Sequence, residues 1–260
     1  MSDVVYDLQK CFAAASTAFV NNIGIVMLTV AVLPLPGLVM WTDAPLLLLC
    51  IELTLLDCFY LTVAVLLIYG MFGSNSEKIS VRSLIAPFLK PVEILTRCYQ
   101  FFYSKSPGFW KSLEATILGI VFGLGAQWLA SPWKTSPQNN LIGACLFTAC
   151  LIIWSRDLVG WMLAPFYLAN HDLAAVEATE KSLFLDKEHK YWNLRLTAVL
   201  SLLVPVLLFG LVRFFVLEPK VFENYQINLF LNYSLSIVPW MLSVFALFVW
   251  NEIYKQRIEN

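Results

Sequence analysis

Four charged residues interrupt stretches that are otherwise apolar: Glu52, Asp57, Arg156 and Asp157. In a low-dielectric interior, paired carboxylates bind metal or relay protons. An arginine beside a carboxylate forms an ion pair that either fixes helix packing or lines a polar pathway. Spacing narrows the choice. Glu52 and Asp57 stand five positions apart, about 140° around a helix, so one face does not hold both carboxylates. A dicarboxylate metal or proton site is therefore disfavoured. Counted from Leu46 and Leu141 at the outer ends of their stretches, Asp57 lies about 16 Å deep and Arg156 about 22 Å deep. A long, snorkelling arginine covers that difference. The expectation is that Arg156 pairs with Asp57, Asp157 or both, while Glu52 sits nearer the outer half.

No other residues assemble into recognisable chemistry. The chain has no HExxH, GxSxG, phosphate loop or dinucleotide loop. His171 and His189 are eighteen positions apart, without zinc-ligand spacing, and suit the surface of a loop or amphipathic helix. The six cysteines form no CxxC pair, and most lie in apolar runs where a thiol behaves as a small hydrophobe. No catalytic residue, metal, cofactor or disulfide is expected. The only polar cluster suited to a lipid-modifying enzyme lies around Asp157, His171, Asp172 and His189.

The elements that must position these charges follow from composition. Hydrophobic side chains make up 59% of the 260 residues and charged ones 13%, about half the charged share of an ordinary soluble domain. Lipid is the fitting solvent. A net charge of -1 provides no cationic field for nucleic acid. Six apolar stretches are long enough to cross the hydrocarbon layer: residues 18–39, 46–69, 113–130, 141–163, 196–217 and 227–250. Spans in lipid must satisfy their own backbone, and none of these stretches alternates like a barrel strand. The fold class expected is all-α, a single polytopic domain over 1–260. It comprises about six transmembrane helices in three hairpins and two amphipathic cytoplasmic segments. The third stretch is the shortest and the fifth contains Arg213, so a re-entrant third segment or five spans also fits.

Basic residues set the orientation, because Lys and Arg near span ends are retained on the cytoplasmic side. Thirteen fall at the termini and in the 70–112 and 164–195 connections. On the opposite side are Lys134 and Lys220 alone. Both termini are then cytoplasmic. The first helix reads as retained, since Asp3 and Asp7 stand against only Lys10 before it. Pro34, Pro36 and Gly37 mark its exit. Pro205 and Pro239 should kink or break the fifth and sixth helices. Gly119 and Gly123 permit close helix approach in the third.

Both inner connections look folded. Between Pro87 and Phe109, apolar residues mix with Lys90, Glu93, Arg97 and Lys105, as suits an interfacial helix against anionic lipid or a helix packed beneath the bundle. Between Asp172 and Tyr191, Leu183 and Phe184 are interleaved with charges, and Asp172 is placed to cap a helix. Trp192 suits the membrane interface and Arg195 the phosphate headgroups. Residues 165–195 would brace the fourth and fifth helices and offer a partner contact at Leu183 and Phe184.

The run from Pro165 through Asp172, Ala178 and Ser182 to Trp192, Asn193, Arg195 and Leu196 resembles the YciC-like bacterial inner-membrane proteins. It is similar also to membrane domains attached to some glycerophosphodiester phosphodiesterases. The match covers about 30 residues. The chain departs from the pattern by extra residues between Ser182 and Trp192 and by Arg156 and Asp157 within the fourth helix. The resemblance implies an all-helical inner-membrane protein and supplies no catalytic residue. Three functions fit the sequence: a transporter or permease-like component handling a lipid or small solute, a non-catalytic scaffold of a membrane complex, and the permease half of an ABC exporter served by a separate ATPase. Membrane lipids are the expected partners, with a second copy of the chain or complex subunits beside them.

Overall fold

Helix α1 (Leu8–Asn21) begins where Asp7 accepts a hydrogen bond from the Lys10 amide at 3.1 Å. That bond, then the Lys10 side chain, holds the Asp7 carboxyl below its usual range. The cap therefore contributes above the ordinary carboxylate pKa and weakens as pH falls through the lowered one. An Ala-rich run then carries the helix to Asn22. There the chain turns by 81° into α2 (Ile23–Val32). The turn contains no proline. Asn22 has its Nδ2 donating to the Ala18 carbonyl at 2.8 Å and its Oδ1 accepting from the Ile79 amide at 3.0 Å. A side chain that competes for backbone groups in this way interrupts the helical ladder. The expected first span, 18–39, is thus bent near its beginning.

The computed structural model describes residues 7–34, 62–73, 79–94, 96, 149, 152, 155–171, 177–178, 181, 192–217 and 225–259. All regular structure among them is helical: after α2 come α3 (Thr62–Phe72), α4 (Val81–Leu89), α5 (Ser155–Asn170), α6 (Trp192–Leu217) and α7 (Tyr225–Glu259). The third expected span and most of the second and fourth lie outside the described residues. Within α7, Tyr233–Gln256 is long and apolar enough to cross a membrane, and the bent α1–α2 pair is a second candidate if taken as one span.

Prolines do not end the helices in which they occur. Pro165, Pro205 and Pro239 lie inside α5, α6 and α7. Each removes a backbone donor, yet the helix continues past it. Pro87 likewise falls inside α4. That helix starts earlier than the expected Pro87–Phe109 segment, because Ser80 and Ser83 form a reciprocal capping box ahead of Val81.

Helix α7 is the common partner, packing against α1, α2, α5 and α6, and α5 also packs on α6. Their shared core is aromatic. Phe19 meets Phe245 and Phe248 edge to face at 5.4 and 5.6 Å, Phe248 meets Phe72 at 5.2 Å, and Phe72 meets Phe166 at 5.5 Å. Phe166 stacks on Tyr254 at 6.0 Å, and Trp250 is fully buried. Tyr233 hydroxyl donates to the Ala31 carbonyl at 2.6 Å, and Gln256 Nε2 donates to the Asp7 carbonyl at 3.4 Å, fastening α2 and α1 to the same helix.

The approach of α3 to α4 depends on glycine. A Cβ on Gly70 would stand 2.9 Å from both Cα and O of Leu84, whereas one on Gly24 meets nothing within 4 Å. Gly70→Ala should lower stability by about 1–3 kcal/mol through overpacking. Gly24→Ala should raise it by about 0.5–1 kcal/mol through helix propensity. Thermal unfolding of both variants in one detergent checks the sign of each.

Candidate functional site

Helix α5 carries two of the four intramembrane charges expected from sequence. Its residues 156 and 157 lie one turn before Val159 and Gly160, in helical register with two adjacent stripes. Residue 156 aligns with Val159, Leu163 and Phe166, and residue 157 with Gly160, Ala164 and Leu168; all six are buried. No side chain described between residues 159 and 170 is exposed. On the remaining side Met162, Pro165 and Ala169 are half-buried.

Glu52, Asp57, Arg97, Leu183 and Phe184 lie outside the described residues, as do the side chains of Arg156 and Asp157. The pairing of Arg156 with a carboxylate therefore rests on the sequence. Trp192 is the first residue of α6 and is exposed, and Arg195, one turn further, is half-buried. In the brace between α5 and α6, Ala178 is fully buried, and Lys181 pairs with Glu177 at 3.2 Å. Both partners of that pair are half exposed, so it contributes little. His171 follows α5. Its ring stacks on Tyr167 at 6.2 Å and meets Tyr254 at 6.3 Å, within a triangle closed by Tyr167 and Tyr254 at 5.0 Å. Among the described residues, no three His, Cys, Asp or Glu side chains gather as metal ligands.

A polar ladder on α6 was missed in the sequence. Thr197 Oγ1 donates to the Asn193 carbonyl at 2.8 Å, and Ser201 Oγ donates to the Thr197 carbonyl at 2.7 Å. Ser201 Oγ also accepts from Trp250 Nε1 of α7 at 3.1 Å. The spacing of Asn193, Thr197 and Ser201 at four residues was the available signal. By returning to their own helix, the hydroxyls satisfy themselves without water, and one of them clamps Trp250, the largest fully buried side chain among the described residues.

Neither protein-family models, nor curated proteins, nor solved structures give a match to this chain. Function must be argued from the geometry alone.

Ser201→Ala leaves the Trp250 indole N–H unpaired in the core and should lower stability by about 1–3 kcal/mol. In the Trp250→Phe background, where that donor is gone, the same change should have a smaller effect. Additive losses in a double-mutant cycle would show that the hydrogen bond is not the source.

Proposed function

We propose that the chain is a six-span bacterial inner-membrane protein with both termini in the cytoplasm, and that its bundle carries a lipid or small solute past Arg156 and Asp157. The observation that supports this reading is the burial of two adjacent stripes of α5, one turn along from residues 156 and 157. A charged group in register with those stripes would face the bundle interior, where its desolvation is offset by a counter-charge or by a polar substrate. Asp57, at a comparable depth on the second span, is the proposed counter-charge.

Further support comes from the large apolar side chains that the bundle leaves exposed, among them Leu196, Leu200, Val204 and Leu207 on α6 and Phe230 and Val238 on α7. Lipid is the solvent that suits them. Kinship with the YciC-like proteins is part of the same proposal. The Trp-Asn-x-Arg-Leu stretch would open the fifth span, in keeping with α6 beginning at Trp192. A scaffold role is the second reading. It is favoured by the closed aromatic packing of Phe72, Phe166, Phe248 and Trp250, which suits a rigid component of a larger complex.

The two readings separate in native mass spectrometry of the protein extracted with its own lipid, combined with flux of fluorescent phospholipid across proteoliposomes. Transport predicts a retained lipid or solute that Arg156→Gln loses at least about tenfold, the equivalent of one buried charged contact. Arg156→Lys should keep part of it, and both variants should elute as the parent does. Absence of retained ligand and of flux in the parent, with Asp57→Arg/Arg156→Asp restoring accumulation that either single change abolishes, would replace transport with a structural ion pair.

A further inference from the structure

Helix α4 is nine residues long, about 13 Å, far short of the roughly 30 Å that a span requires. Both its ends are satisfied locally. The Ser80–Ser83 box closes the first turn, and the Lys90 amide returns to the Pro87 carbonyl at 3.2 Å. One side, at Leu84 and Pro87, is buried against α3, with Leu84 backbone at the Gly70 contact. The neighbouring side is apolar and bare. Val81, Ile85, Phe88 and Leu89 occupy about 100° of arc, and every one of them is exposed. Among the described residues, the two most exposed large hydrophobic side chains are Leu89 at 77% and Val92 at 76%, at the end of α4 and just beyond it.

Charge identifies what covers this face. Arg82 borders the apolar arc on its far side from the bundle, Lys90 caps the helix, and both are exposed. Residues 78–111 contain six basic side chains and one acidic, in a chain whose net charge is -1. A short helix with one side on the bundle, one side apolar and a basic edge meets the requirements of a helix lying in the plane of an anionic membrane surface.

We infer that α4 is an in-plane anchor on an anionic phospholipid leaflet. Its apolar side chains lie among the upper acyl chains, and Arg82 and Lys90 lie at the phosphates. This rests on the membrane reading above and adds a lipid class and a site to it. The anchor also reaches the N-terminal helices, because Ile79, two residues ahead of α4, donates to Asn22 at the α1–α2 bend.

The test places a photoreactive benzoylphenylalanine at residue 89 of the full chain, in vesicles of phosphatidylethanolamine with or without phosphatidylglycerol, and a second label at the exposed Phe230 of α7. Lipid adducts at both positions are expected. The adduct at residue 89 should rise with phosphatidylglycerol, and Arg82→Gln/Lys90→Gln should lower it at least about threefold. Adducts at 230 without any at 89, or crosslinks from 89 to a second copy or to another protein in native membranes, would overturn the anchor and leave the membrane reading standing. Equal yield at 89 with and without phosphatidylglycerol would overturn the anionic preference. Absence of lipid adducts at both positions would remove the membrane reading itself.

Discussion

The packing of four helices on α7 is the interaction on which the rest of the structure depends. α7 presents Val244, Phe248, Val249, Trp250, Ile253 and Tyr254 to its neighbours, all buried, and α1, α2, α5 and α6 converge on it. Aromatic side chains supply large contact areas and, tilted or edge to face, a further 0.5–1.5 kcal/mol or so per pair. The chain of such pairs from Phe12 to Tyr254 links α1, α7, α3 and α5 without a polar atom between them. Some polar groups in this core are paired, as Ser201 is with Trp250 and Tyr233 with Ala31, whereas the Tyr254 hydroxyl is buried without a hydrogen-bond partner among the described residues.

That arrangement separates two kinds of surface. α5 is buried along two adjacent stripes, one through Val159, Leu163 and Phe166 and one through Gly160, Ala164 and Leu168. α6, by contrast, exposes Leu196, Leu200, Val204 and Leu207 along one stripe, at intervals of four and three residues. In water such a stripe would be an association surface; in lipid it is an ordinary outer face. Beside that stripe Thr197 is buried and Ser201 meets Trp250 of α7, while Asn193 is exposed.

Much of the helical class was legible because apolar runs of this length leave no alternative in lipid. The end of α2 at Val32, just before Pro34, follows a signal visible in the residues. The bend at Asn22 was hidden, since an asparagine in an apolar run carries no breaker signature. It acts only because Ile79, 57 residues away, occupies its side-chain oxygen. Of the kink or break expected at Pro205 and Pro239, the break is absent, since both lie inside continuous helices. The start of α4 escaped notice because its capping box uses serine at the third position instead of the usual Glu or Gln. Of the candidate site, residues 156 and 157 fall within α5, their side chains outside the described residues. Glu52 and Asp57 lie outside the described residues, and so does the expected contact at Leu183 and Phe184.

The central claim is that apolar faces left uncovered by the bundle are solvated by lipid. Spin labels at residues 200 and 204 of α6, in the reconstituted protein, test it through their relaxation by oxygen, which concentrates in acyl chains, and by a water-soluble nickel chelate. Dominant relaxation by oxygen at both positions is the predicted result. Dominant relaxation by the chelate would place that face in water and contradict the account.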